Sequence, residues 1–346
     1  MMRALVLDAA GGIDHLRVQE LPEPVIQAPN QALLRIHTVG LNRLDLWVAE
    51  GLPGANYSFP HIVGSDGAGT VVQVGAEVDG IRPGDRVMIN PTFSCGNCPW
   101  CLQGEESLCR KLQVLGEHRP GSAAEYVVVP GENLARAPDS MSWAEAGAFS
   151  LATLTAWRLL TTRGRVQAGE TVLIWGIGGG VALAALEISR LLGARTIVTS
   201  GSDAKLQFAL SRGADATLNH RRADVVSEVR RLTGGLGVDA IVDSVGEESW
   251  PQSLRSLRRG GRLLICGATS GPMVSMDLRR LFWHQWSILG STLGSRREYA
   301  EIVRLAGDGK LWPVVDQVVP LSRAHEAFAR LDRSEQVGKL VIEVAQ

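Results

Sequence analysis

The chain predicts a two-part α/β protein: a mostly β, barrel-type domain followed by a doubly wound parallel sheet. Three observations carry this. Thr171–Ala194, TVLIWGIGGGVALAALEISRLLGA, reads as a buried strand, a glycine-rich turn and an amphipathic helix. Strand-like runs then recur with helical patterns between several of them, the alternation that builds a parallel sheet. Before residue 142 the chain instead shows short β-rich runs punctuated by Gly, Pro and Asp, without a long amphipathic helix.

In the second part, Val172–Trp175 is the apolar run expected of a strand buried on both faces. Gly176, Gly178, Gly179 and Gly180 follow within five residues, and Val181, Leu183, Ala185, Leu186, Ile188, Leu191 and Leu192 recur at helical spacing up to Gly193. Such a turn lets backbone N–H groups and a helix N-terminus approach a pyrophosphate. The G-x-G-x-x-G pattern holds only approximately, since Val181 stands where its last glycine would fall; a register using Gly179 and Ala182 for close packing fits better. Further strands are expected at Thr196–Thr199, Ala216–Leu218, Val238–Val242, Arg262–Ile265 and Ser287–Leu289, and helices at Lys205–Ser211, Ala223–Leu232 and Trp250–Arg258. The ligand of such a sheet sits at the carboxyl edge of its strands, so a dinucleotide is expected there.

In the first part, strands are expected at Ala4–Leu7, Ala32–Val39, Gly69–Val74 and Arg86–Ile89. The spacing Cys95-x2-Cys98-x2-Cys101-x7-Cys109 sets four soft ligands in one lobe, which suits a tetrahedral, structural zinc with no open position. The fifth cysteine, Cys266, reads as an inert strand thiol.

The 346 residues suit two domains, and 45% hydrophobic residues suffice for full cores. A net charge of −1 without long basic runs argues against nucleic acid as a partner. No apolar stretch approaches a membrane span, the first residues read as a strand rather than a signal peptide, and five clustered cysteines do not make a secreted disulfide scaffold. A cytoplasmic protein is expected.

The barrel-like first half, the cysteine lobe and the central dinucleotide half resemble the zinc-containing alcohol dehydrogenases of the medium-chain dehydrogenase/reductase superfamily, over essentially the whole chain. Gly64-Ser65-Asp66-Gly67-Ala68-Gly69, Arg82-Pro83-Gly84-Asp85-Arg86-Val87 and Ala124-Glu125-Tyr126 are further phrases of that kind. The resemblance implies a GroES-like catalytic domain at 1–148, a Rossmann domain at 149–290, a C-terminal return to the catalytic domain at 291–346, and a homodimer or homotetramer.

Departures from the family pattern are concentrated at its catalytic zinc. Where the family has a Cys-Arg-Ser/Thr-Asp phrase, this chain has Asn42-Arg43-Leu44-Asp45; Trp47 replaces a histidine, and Gly64-Ser65-Asp66 replaces Gly-His-Glu. The segment 146–160 offers no Cys, His, Asp or Glu as a third ligand. The pattern resembles the quinone oxidoreductase and enoyl reductase branch, which works without catalytic metal, with the cysteine lobe retained. Hydride transfer to a quinone or an α,β-unsaturated carbonyl is implied. Asn42 is the candidate donor to the substrate oxygen, and His118, in the loop after the cysteine lobe, a candidate proton donor. Asp45 and Asp66 are expected to anchor backbone N–H groups. The alternatives are a zinc-dependent alcohol dehydrogenase with an atypical site, to which Asp66 and His61 would contribute, and a nucleotide-binding member without enzymatic activity.

Cofactor choice is read at the end of the second strand of the doubly wound sheet. A carboxylate there would bind a ribose 2′-hydroxyl, whereas this chain has Ser200-Gly201-Ser202 followed by Lys205. Ser200, Ser202 and Lys205 favour the 2′-phosphate of NADPH, with NADH the alternative, and His220, Arg221 and Arg222 would add positive charge. Thr153 and Thr155 are candidate nicotinamide neighbours by resemblance.

Overall fold

The strand Gln31–Gly40 is the spine of the barrel part, pairing with Ala68–Val74, Tyr126–Pro130 and Lys339–Glu343. Its alternation puts Ala32, Leu34 and Ile36 into a core shared with Phe328, Leu340 and Ile342. Breaks of register against Ala68–Val74 at Leu33/Leu34 and Ile36/Thr38 supply the local bends a curled sheet needs. The structure is a computed structural model that describes residues 1–54 and 57–344.

The chain divides into two units, Met1–Leu154 with Gly294–Gln346, and Thr155–Leu293. The divisions lie a few residues beyond those expected at 148 and 290. The helix Trp143–Arg158 runs through the first of them unbroken, so no turn residue marks it. In the first unit, among the described residues, seven strands form one sheet and Leu16–Leu21, Met2–Leu7 and His61–Ile62 another. The C-terminal strand Lys339–Glu343 runs antiparallel to the spine, with Val341 opposite Gly40. A short helix, Arg43–Glu50, follows the spine directly.

Gly40 and Gly147 let spine and helix meet backbone to backbone. A Cβ on Gly40 would lie 2.5 Å from the Gly147 carbonyl oxygen, and one on Gly147 would lie 2.5 Å from Thr38 Oγ1. This approach fixes Asn42, just past the spine, and Leu151, on the helix, in one corner of the unit.

The second unit is a parallel sheet in the order Ala216–Asn219, Arg195–Ser200, Thr171–Ile174, Val238–Asp243, Leu257–Ile265, Ser287–Gly290. Leu173, Ile197, Val238, Ile241 and Leu263 are buried in its core, as the continuous apolar runs require. Strand order reverses between Thr171–Ile174 and Val238–Asp243, which puts the switch point at the glycine turn. The helix expected to reach Arg258 ends at Ser256, because Leu257 already pairs with Val238 as the next strand begins. No helix of the described residues is long and apolar enough to cross a membrane.

Candidate active site and metal lobe

The four cysteines converge. Cys98 caps the short helix Pro99–Leu102, Cys109 follows the turn Glu106–Leu108, and Gly96 and Gly104 take positive φ to fold the lobe back on itself. All four sulfurs lie within 4.8 Å of one another, with Cys98–Cys101 at 3.4 Å, Cys95–Cys109 at 3.6 Å and Cys95–Cys101 at 3.9 Å. Four sulfurs at about 2.3 Å from one ion sit about 3.8 Å apart, so the lobe fits tetrahedral zinc with little adjustment. Backbone N–H groups of Cys95 and Lys111 already point at Cys109 Sγ, at 3.5 and 3.3 Å. The hydrogen bond from the Asn97 backbone, ahead of those from Cys109 and Cys98, pulls the Cys95 thiol down to about 6. Cys266 stands apart: burial, then the Asp243 charge, push its thiol up to about 12.

A second constellation lies where the spine, the Gly64–Asp66 turn, the helix Trp143–Arg158 and the C-terminal strand meet. Lys339, whose side chain is 4% exposed, donates from Nζ to Asn42 Oδ1 at 2.5 Å and to Asp66 Oδ2 at 2.9 Å. Asn42 Nδ2 donates to Asp66 Oδ2 at 3.0 Å and to the Gly40 carbonyl at 3.2 Å. The amide has only one orientation that serves both a lysine and a carboxylate. Asp66 Oδ1 accepts the Leu151 backbone N–H at 2.7 Å, and Asp45 accepts from the Asn42 backbone N–H at 2.7 Å and from Ser65 Oγ at 3.2 Å. Ser150, beside Leu151, meets the buried Tyr299 hydroxyl at 2.8 Å. The two aspartates are thus backbone anchors.

This geometry corrects one assignment. Asn42 was the candidate donor to a substrate oxygen, yet both its amide hydrogens are engaged inside the protein. The cation beside it, Lys339, is the residue that sequence reasoning missed. Two of its three ammonium hydrogens are engaged, and among the described residues the third has no partner. The available signal is a lysine placed directly before the apolar run Leu340–Ile342 of the strand KLVIE. His118 is not joined to this network by any hydrogen bond among the described residues. It is exposed, its Nδ1 accepts the Val114 backbone N–H at 3.3 Å, and Glu117 lies 3.7 Å away. His61 is buried and held through Nε2 to the Gly116 carbonyl at 3.0 Å, away from any ligand set with Asp66.

The glycine turn of the second unit is tied to the neighbouring strand. Gly176 N–H donates to Thr199 Oγ1 at 3.3 Å and Ile177 N–H to the Thr199 carbonyl at 2.8 Å. Gly176 and Gly178 have φ of 69° and 119°, conformations that side chains avoid. Gly179 caps the helix Gly180–Leu191, near whose start lies Val181. A Cβ on Gly178 would lie 2.7 Å from the Lys205 side chain, so that lysine lies across the turn. Ser200 Oγ accepts the Ser202 backbone N–H at 3.2 Å. Arg221 lies against Gly201, its Nε 2.6 Å from where a Cβ would stand. Asp203 is held by Asn219 and Arg222, each at 2.5 Å. His220 is the exception among the expected cations: burial beside Trp175, then the Arg221 charge, lowers its pKa. A glycine turn leading into a helix N-terminus, with Lys205 and Arg221 against it, suits the pyrophosphate of a nicotinamide dinucleotide. Thr153 is buried in the helix Trp143–Arg158, in the other unit.

The Asp45 carboxyl generates a stability prediction. Complete burial pushes it up to about 6, against the opposing pull of the Asn42 N–H and the Lys339 charge. The folded protein therefore holds this proton more tightly than the unfolded chain, whose carboxyl titrates near 4. Stability from this group is present below pH 4 and is lost as pH rises through 6. Asp45→Asn lacks that loss, so the stability of the wild type relative to the variant should fall by on the order of 3 kcal/mol as pH rises from 4 to 7. Denaturant midpoints between pH 4 and 7 measure it, and parallel curves would show that Asp45 is ionised throughout.

Comparison with known proteins agrees with the fold, and a zinc-type family is consistent with the four-cysteine lobe. The pattern for the alcohol dehydrogenase GroES-like domain matches residues 28–139, and that for zinc-binding dehydrogenases matches residues 180–308. A zinc-type alcohol dehydrogenase-like protein of Schizosaccharomyces pombe is 30% identical over 99% of both chains. An alcohol dehydrogenase of Geobacillus stearothermophilus is 30% identical over 95% of this chain and 96% of its own. A crystal structure of an NAD-dependent alcohol dehydrogenase, 44% identical, superposes with a TM-score of 0.95 over 99% of this chain and 100% of the other. With its GroES-like and Rossmann units and its four-cysteine lobe, the chain belongs to the zinc-type medium-chain dehydrogenase/reductase superfamily and is an oxidoreductase of the alcohol dehydrogenase type.

Proposed function

We propose that this oxidoreductase reduces a quinone or an α,β-unsaturated carbonyl compound, prefers NADPH, and carries one structural zinc on Cys95, Cys98, Cys101 and Cys109 without a catalytic metal. The carrying observation is the Lys339 ammonium bonded to Asn42 and Asp66. In the related alcohol dehydrogenases the phrases at 42 and 64–66 supply metal ligands. Here an amide, a hydroxyl and two carboxylates stand there, and they are engaged by a protein cation and by backbone N–H groups. A divalent ion would have to displace that cation and strip those bonds.

Bound nicotinamide supplies the hydride, and the residues of this chain do the rest. A conjugated carbonyl that accepts hydride at carbon develops negative charge on its oxygen, and the unengaged Nζ–H of Lys339 is a donor for it. Asn42 and Asp66 hold that ammonium in place. An unconjugated alcohol lacks the help a metal gives in releasing its proton, so it is a poor substrate here. The alternative, a zinc-dependent alcohol dehydrogenase, has the names of the relatives in its favour. Metal content separates the two.

We expect one zinc per chain, enone turnover that survives chelation sparing the cysteine lobe, and slow oxidation of a primary alcohol. Lys339→Met should lower kcat on the enone about a hundredfold. Lys339→Met combined with Asp66→Asn removes both charges and serves as the folding control, restoring stability but not turnover. Two zincs per chain, with alcohol oxidation abolished by chelation, would return the chain to the zinc-dependent reading.

The NADPH preference rests on Ser200, Ser202, Lys205 and Arg221 at the strand end, where Ser200 stands in place of a carboxylate and Asp203 is held by Asn219 and Arg222. Ser200→Asp should weaken NADPH at least tenfold by repelling the 2′-phosphate while sparing NADH, as measured by fluorescence titration. Equal wild-type affinities, unchanged in the variant, would overturn it.

A homodimer or a tetramer built from it is proposed through the second unit. Ser287–Gly290 is an outer strand of the parallel sheet, and beside it the helix Leu278–His284 exposes Phe282 and Trp283 at 67% and 65%. A two-fold axis brings two such edges together antiparallel and covers the aromatic side chains. Phe282→Glu should convert the oligomer to monomer in light scattering; a wild-type monomer would refute it.

A further inference from the structure

Beside the cysteine lobe lies a cleft of about 530 Å³ whose walls include Phe93, Arg110, Lys111, His118, Arg119 and Glu132. Its charge is one-sided. Both oxygens of Glu132, the one acidic wall residue, are held by Arg296 at 2.7 and 2.6 Å. Among the described residues, Arg110, Lys111 and Arg119 have no carboxylate partner. A zinc held by four thiolates carries a formal charge of −2, and Arg110 and Lys111, which follow Cys109 directly, balance it.

Arg119 is left over. It is half-buried, its guanidinium lies over the Phe93 ring at 4.6 Å, and among the described residues no carboxylate pairs with it. Burial lowers its pKa, and no opposing charge restores it. The stacking fixes the plane of the guanidinium, as bidentate recognition of an oxyanion requires. Its loop is also rigid. Phe93 is 5% exposed on a strand paired with Gln113–Val114, the Arg119 carbonyl accepts the Gly116 N–H at 3.0 Å, and His118 N–H bonds to Val114 at 2.9 Å. Gly116 packs so closely that a Cβ there would lie 2.5 Å from the Gly64 carbonyl oxygen. The arginine is pre-positioned rather than waving in solvent.

We propose that this cleft binds a phosphate-bearing small molecule, with Arg119 as the bidentate contact and Arg110 and Lys111 offsetting the charge of the thiolate lobe that would otherwise repel it. The site lies within the barrel unit, on residues separate from the glycine turn and from the Lys339 network. It stands whether or not the enone reading holds. The phosphate has two possible sources: the nucleotide tail of a thioester substrate, or a free phosphorylated metabolite acting as an effector.

The test titrates inorganic pyrophosphate by calorimetry into the zinc-loaded protein saturated with NADP+, so that the dinucleotide cradle is already filled. We expect one site, weakened about tenfold in Arg119→Ala and partly retained in Arg119→Lys, with zinc content and melting temperature unchanged. Absence of binding, or equal binding by wild type and Arg119→Ala, would overturn the proposal. Kinetics then separate the sources. A KM raised about tenfold in Arg119→Ala for an enoyl-coenzyme A thioester, but not for an uncharged enone, identifies a substrate tail. Pyrophosphate binding that falls while both KM values hold identifies an effector. Should neither substrate turn over, the enone reading fails while the calorimetry still decides this site.

Discussion

The barrel unit is held to its working arrangement by one buried ion pair. Lys339 and Asp66 face each other at 2.9 Å with side chains 4% and 0% exposed, and each is further committed, Lys339 to Asn42 and Asp66 to the Leu151 N–H. Four separate chain segments therefore meet at two charges. Removing either would leave the other buried without a counter-charge, which is far costlier than the pair itself is stabilising. The close approach of Gly40 to Gly147 is what permits the meeting, because any side chain there would push the helix away from the spine.

Zinc and lysine divide the unit's cationic roles. The cysteine lobe suits a soft, closed, tetrahedral ion of the kind whose binding energy is folding energy. The buried network around Asp66 instead holds an ammonium, which has three donors and no coordination geometry to satisfy.

What was legible in the sequence follows from how local each signal is. The parallel strands announce themselves because both faces are buried, so Val172–Ile174 and Val238–Val242 are unbroken apolar runs. The cysteine lobe is legible because its ligands lie within fifteen residues. The glycine turn is equally local, as is the absence of a carboxylate at Ser200. Lys339 was not legible, since its partner Asn42 is 297 residues away and a lysine at the start of a strand ordinarily reaches solvent. The same distance misdirected the reading of Asn42: its residue type advertises a donor, and only the fold reveals that both hydrogens are taken. His118 shows the opposite case, a residue correctly placed on a loop whose neighbours are the cysteine lobe's cations rather than Asn42.

The split of the barrel unit between the two ends of the chain orders its biosynthesis. Residues 155–293 form one uninterrupted stretch and can complete their sheet while later residues are still being made. The first 154 residues cannot: their spine awaits Lys339–Glu343 as a neighbouring strand, and Asp66 awaits its counter-charge. Until then the nascent barrel carries an open strand edge and two acidic groups that belong in its interior. A chain interrupted before residue 339 would hold a barrel unit that lacks this neighbouring strand and this counter-charge, with an edge left open to pairing with another chain.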